Sequence, residues 1–168
     1  MPVSVENVNK KIFAISKPEF NTLMDKNNMS DQTVEEKTDV ALISINDSHG
    51  QWSVSWFDLN HPNVLRLWFD DVENDTDKFS PTNEISVKAF TVEQAKQVKD
   101  FIKKNKDKKT FIVHCSAGIS RSGAVAQYIC DYFRCDREEF LRNNPFIHPN
   151  GRVTRLLNNL DRYAGSRI

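Results

Sequence analysis

Between Lys109 and Phe133 the hydrophobic period of the chain changes once, and that change constrains the fold more than any other feature. Lys109-Thr110-Phe111-Ile112-Val113 follows a lysine-rich turn and gathers β-branched and aromatic residues, the pattern of a buried strand. Beyond Arg121, the residues Ala124, Val125, Tyr128, Ile129 and Phe133 recur at three- and four-residue spacing, as a helix requires. His114 to Ser122 must therefore carry the chain from a strand end to a helix start. At a helix start several backbone N–H groups have no partner within the helix. They can converge on an anion, aided by the helix dipole and by the concave nest that consecutive amides form. Gly118 supplies the freedom to curl the chain there.

Cys115 stands at the base of that nest and Arg121 at its far end. The amides of Ser116, Ala117, Gly118, Ile119 and Ser120 are the expected anion donors. The amides, the dipole and the guanidinium all favour an ionised sulfur, which is the reactive form of cysteine. Arg121 offers a planar fork matched to two oxygens of a phosphate, which lysine cannot. The hydroxyl of Ser122 can donate to the sulfur and make it a better leaving group. Of the three cysteines only Cys115 has an arginine six positions on; Asp136 and Leu141 follow the other two at that spacing.

The segment His114–Gly123, HCSAGISRSG, resembles the phosphate-binding loop of cysteine-dependent protein tyrosine phosphatases, most closely the small dual-specificity branch. The likeness is strong over 111–125 and extends by order of elements over about 64–160. It implies an α/β fold with a central, mostly parallel sheet flanked by helices on both faces. It also implies hydrolysis of phosphate monoesters through a phosphocysteine intermediate, with no metal and no cofactor. Cys115 matches the family nucleophile, Arg121 the phosphate-binding arginine, Ser122 the hydroxyl after it and His114 the histidine before the nucleophile. His148-Pro149-Asn150, ahead of a helical pattern, is similar to the pair that buttresses the loop, which makes Asn150 a supporting residue. The family's general acid is an aspartate on a loop shortly after an apolar strand. Asp71 is the first choice, Asp75 the second and Asp70 the third. The interval from Asp71 to Cys115 is longer than usual, an excess assigned to residues 78–87.

The rest of the chain supports a layered α/β domain. Lys11–Ile15, Asp39–Ile45 and Val64–Phe69 read as strands, the second buried on both faces. Pro18 with Phe20, Leu23 and Met24 marks a short helix, and Asp25 to Lys37 an exposed loop. Asn46 to Gly50 is turn chemistry. Trp52, Val54, Trp56 and Phe57 suggest an edge strand or packed loop. Thr91-Val92-Glu93-Gln94 fits a capping box, opening a helix whose stripe is Val92, Ala95, Val98 and Ile102. Its basic end, Lys103–Lys109, is read as a solvated helix terminus. Trp52, Trp56 and Trp68 are assigned to the core, and His49, His61 and His148 to the surface or turns, without metal spacing. Cys130 and Cys135 are placed on the helix after the loop, with Cys130 in the core or, alternatively, in a disulfide with Cys115. Arg152 and Arg155 either rim the pocket or share an exposed helix face.

With 168 residues, one domain over 1–168 is expected. A formal net charge of zero argues against a general nucleic-acid binder, and no apolar run approaches the ~20 residues that span a bilayer. Three scattered cysteines and an N-terminus without the apolar core of a secretory signal point to a reducing, cytoplasmic setting. The expected partner is a phosphorylated protein carrying phosphotyrosine, or phosphoserine and phosphothreonine if the pocket is shallow, acted on by a monomer. Other classes stay open: a catalytically silent phosphate-binding module, or a rhodanese-like or arsenate-reducing enzyme with a similar loop. A lipid phosphate fits less well, because the loop interior holds no lysine.

Overall fold

In the computed structural model, which describes residues 10–73 and 87–166, four strands form one sheet. They are β1 (Lys11–Ser16), β2 (Val40–Asn46), β3 (Val64–Trp68) and β4 (Thr110–Cys115), in the order β1-β4-β2-β3. All three pairings are parallel. Five α-helices accompany them among the described residues: α1 (Lys17–Lys26), α2 (Val92–Lys104), α3 (Arg121–Phe133), α4 (Arg137–Asn143) and α5 (Gly151–Ser166).

The strands sort their side chains by parity into two cores. Ala41, Ile43 and Ile45 of β2, with Phe111, Val113 and Cys115 of β4, face α2, α3, α4 and α5 and pack with Ala95, Val125, Phe140 and Val153. Leu42 and Ile112 point the other way, to Phe20 and Met24 of α1. Central strands buried on both faces need the near-continuous apolar runs that 40–45 and 110–113 supply. Helices thus cover both faces, as the sequence leads one to expect. Ser16 and Thr91 each head a helix with a reciprocal capping box, through Glu19 and Gln94. At the free edge of β1, the Asn144 side chain accepts from Ala14 N–H and donates to Ile12 O, so the edge is capped.

Several expectations are corrected. The polar stretch 25–37 is not simply exposed: Met29 and Val34 are buried in the second core, and Val34–Glu36 form a 3₁₀ turn. Of the two readings of residues 51–57, the loop holds and the edge strand does not: a 3₁₀ turn at Gln51–Ser53 leads into a loop that buries only Phe57 fully. Val92 is 51% exposed, because it lies on the solvent side of the first turn of α2, and Phe101 joins the buried stripe instead. Trp56 and Trp68 are 36% and 38% exposed rather than core. Their indole N–H groups donate to Met29 O and Ser53 O, which keeps one end of each ring at the surface. The His61 ring is enclosed, with Nε2 2.7 Å from Asp31 and Nδ1 2.6 Å from Glu35. Cys135 lies beyond α3, after the left-handed residue Arg134.

Candidate active site

β4 lies between β1 and β2, so its last two residues emerge at the middle of the sheet's C-terminal edge. Ligands in open parallel sheets gather there. His114 and Cys115 point to opposite faces. The imidazole of His114 lies 4.2 Å from the Phe20 ring between centroids, and its Nε2 is 2.7 Å from Ser44 Oγ. Burial lowers its pKa to about 4, opposed by the Cys115 carbonyl and reinforced by the charges of Lys17 and Arg121. The ring is therefore neutral at pH 7. Because a carbonyl can only accept, Nδ1–H donates to Cys115 O at 3.3 Å and Nε2 accepts from Ser44. The histidine fixes the backbone on which the cysteine is mounted.

The Cys115 side chain is only 2% exposed, and its sulfur is turned into the loop. Sγ accepts from Gly118 N–H at 3.3 Å and lies 3.1 Å from Ser122 Oγ. Gly118 has φ +78°, and a Cβ there would come within 2.4 Å of the backbone of Ile15 and Ser16. The loop is pressed onto the end of β1, and Lys17 N–H donates to Ser116 O to hold it there. Apart from that of Gly118, the amides of residues 116–121 have no acceptor among the described residues. These are the donors a helix start leaves over.

Arg121, the first residue of α3, is buried. One terminal nitrogen donates to Asp47 Oδ1 and to Phe69 O, both at 2.8 Å. Its Nε–H is buried with no partner. Asp47 Oδ1 also accepts from Ser116 Oγ at 3.0 Å, so one carboxylate ties both ends of the loop. Behind it, the Lys17 ammonium donates to Asn46 Oδ1, Trp52 O and Val54 O. Burial pushes the pKa of Lys17 down, the Asp47 charge resists, and Arg121 adds to the fall. Asn46 also donates to Leu67 O and so ties this turn to β3.

The candidate acids fall into separate settings. Both oxygens of Asp70 are committed: they accept from Ser48 N–H, Ser48 Oγ and Lys88 N–H at 3.0, 2.5 and 2.8 Å. Burial alone would raise its pKa, but those bonds and the nearby Arg121 charge outweigh it and hold the group below its ordinary value. Asp70 is a brace. Asp71 is exposed and reaches the rim of the loop, where Oδ1 accepts from Ser120 Oγ and Asn150 Nδ2, both at 2.8 Å. Asp75 lies outside the described residues. Asn150 links the pieces: its N–H donates to Ser120 O, and its Oδ1 accepts from Val153 N–H at the start of α5. Arg152 donates to Phe90 O and Glu73 O, and Arg155 pairs with Glu73, so both hold the strap carrying Asp71 and neither reaches the loop. Cys130 lies nine residues into α3, about 14 Å along its axis from Arg121, too far for a disulfide with Cys115.

Asp47, Ser44, Asn46 and Lys17 carry much of this geometry, and the sequence reading did not single them out. The available signal was position: Asp47 directly follows β2 as Cys115 ends β4, and ends of adjacent parallel strands share one edge.

No family model and no curated protein matches the chain. Among solved structures, it is similar to the Cydia pomonella PTP-2 phosphatase, with a TM-score of 0.50 and 16% identity over 90% of this chain and 86% of that one. A human tyrosine phosphatase-like serine/threonine/tyrosine-interacting protein gives 0.46 and 18% over 80% and 86%. The chain has a protein-tyrosine-phosphatase-like α/β fold.

Proposed function

We propose that this protein is a phosphoprotein phosphatase, specific for phosphotyrosine or of dual specificity, working through a phosphocysteine intermediate. One observation carries the reading: beside a loop of uncommitted amides, a buried guanidinium keeps its Nε–H unpartnered while its far side is clamped by Asp47 and Phe69 O. An unpaired buried donor is costly, and a phosphate oxygen would satisfy it. The phosphate sits in the loop, and Cys115 Sγ attacks phosphorus in line with the leaving oxygen. Asp71 protonates that oxygen as the P–O bond breaks. A water then attacks the phosphocysteine, Asp71 takes its proton, and Ser122 Oγ–H donates to the departing sulfur. His114, Asn150 and Asp47 position these groups. No step asks for a metal, and among the described residues no cluster of three His, Cys, Asp or Glu could hold one.

The chemistry requires a free thiol, which a reducing, cytoplasmic setting preserves; a monomer with one domain over 1–168 belongs to the same proposal. No helix among the described residues is long and apolar enough to cross a membrane. The test is hydrolysis of 4-nitrophenyl phosphate and of phosphotyrosine and phosphoserine peptides, with acid quenching to trap phosphate on the protein. The expected result is turnover with label on Cys115, and Cys115→Ser lowering turnover by at least ~10³-fold while still binding phosphopeptide. Binding without turnover by the unaltered protein overturns the enzyme reading in favour of a silent binding module.

A further inference from the structure

The end of α3 holds a second thiol chemistry, independent of the first. Arg134 turns the chain left-handed at φ 57°, with its N–H on Asp131 O and the N–H of Cys135 on Cys130 O at 3.0 Å. Those two bonds define a Schellman ending, in which the residue three back from the cap and the residue after the turn frequently bring their side chains together. In most helices that contact is between hydrophobes; here both partners are cysteines, and both are free. Cys130 is buried and its thiol points to Cys135 O at 3.8 Å. Cys135 is half-buried and lines a surface pocket with Lys10, Ile12, Asp136 and Glu139.

We propose that Cys130 and Cys135 form a peroxide-responsive dithiol that closes to a disulfide across the end of α3. Cys135 is the attacking sulfur, for two reasons. It is the one that solvent reaches. The neighbouring Cys130 side chain holds it below the usual thiol range; partial burial opposes that, the Lys10 ammonium assists and Glu139 resists. The proximity of Cys135, with burial, pushes Cys130 up and keeps it a thiol. In the first step the Cys135 sulfur attacks one oxygen of hydrogen peroxide. The O–O bond breaks, hydroxide leaves, and sulfur becomes a sulfenic acid, oxidised by two electrons. Cys130 then attacks that sulfur and gives up its proton. The S–O bond breaks and water departs with the oxygen. The sum is two thiols and one peroxide to one disulfide and two waters. About 14 Å of helix separates Cys130 from Arg121, and Cys135 lies beyond the helix end, so the pair takes no part in the phosphatase reaction and does not rest on that reading.

Trypsin makes the test clean, because cleavage after Lys109, Arg121, Arg134 and Arg137 puts each cysteine on its own peptide. The protein is exposed to hydrogen peroxide, its remaining thiols are alkylated, and the non-reduced digest is mapped by mass. The expected product links 122–134 to 135–137, disappears with dithiothreitol, and forms at least about tenfold faster than in urea-unfolded protein. Cys130→Ser leaves a dimedone-trapped sulfenic acid on Cys135, and Cys135→Ser leaves Cys130 reduced. Either of two outcomes overturns the proposal: a link to the Cys115 peptide, or both thiols recovered free at a peroxide dose that oxidises Cys115.

Discussion

At the residue scale, roles divide by what each side chain has left to give. Asp70 has spent both oxygens on Ser48 and Lys88, whereas Asp71 keeps one oxygen outside its bonds to Ser120 and Asn150. Asp71→Asn should therefore slow an alkyl or unactivated aryl phosphate by ~10²-fold or more, and 4-nitrophenyl phosphate much less, since a good leaving group needs no proton. Equal losses on both substrates would remove Asp71 from the role. Asp47 works through another residue. Asp47→Ala leaves the clamped nitrogen of Arg121 on Phe69 O alone and frees the hydroxyl of Ser116, and a misaimed guanidinium should lower kcat/KM by about 10- to 100-fold. Asp47→Asn, which can still accept from Arg121, should recover part of that; if it recovers none while Ala costs little, Asp47 does not aim the arginine. Cys115 and Arg121 were legible because their chemistry is contiguous in sequence. Asp47 was not, because its contact with Arg121 spans 74 positions and nothing local to it differs from an ordinary turn aspartate.

At the element scale, what was legible followed burial. β2 and β4 show themselves as apolar runs because both faces are covered, and α3 by its 3.6 period. Residues 51–57 misled because tryptophans promise burial, whereas this loop is held by polar bonds, from the Lys17 ammonium to Trp52 O and Val54 O. The anion loop tests how elements share space. Gly118 and Gly50 both have positive φ, at +78° and +85°, but a Cβ on Gly50 meets nothing within 4 Å while one on Gly118 meets the end of β1. Gly50→Ala should cost only the backbone strain, about 1–3 kcal/mol. Gly118→Ala must also push the loop off Ile15 and Ser16, and should cost at least ~2 kcal/mol more in urea denaturation and abolish phosphate protection against unfolding. Equal costs at the two positions would mean that the loop does not rest on β1 in solution.

At the scale of the whole molecule, two histidines, His114 buried and His61 partly so, give the stability curve a sign on each side of neutrality. His114 folds as the neutral ring with a pKa of about 4, against an ordinary value near 6.5. The unfolded chain therefore takes up a proton first as pH falls. Stability contributed by that histidine is complete above about pH 6.5 and is lost between there and about pH 4, a change on the order of 3 kcal/mol. Asp31 and Asp70, both held below their ordinary values, lose their contributions further down the same side. His61 has the opposite sign. Burial works against its charge, but the bonds to Asp31 and Glu35 prevail and raise its pKa. Its contribution is complete below about pH 6.5 and is lost as pH rises through the raised value. Urea midpoints measured from pH 4 to 9 should thus fall on both sides. His61→Asn should flatten the alkaline side, because the ring that joins the loops at 31–35 and 58–63 no longer gains a proton on folding, and should also remove the part of the acid-side fall that Asp31 owes to that ring. The acid side belongs to a ring wedged between Phe20 and Ser44 beneath the nucleophile, where substitution risks the fold itself. It is better read in the intact protein, from the proton resonance of His114, which should titrate near pH 4; a midpoint near 6.5 would mean that solvent reaches the underside of the Cys115 loop.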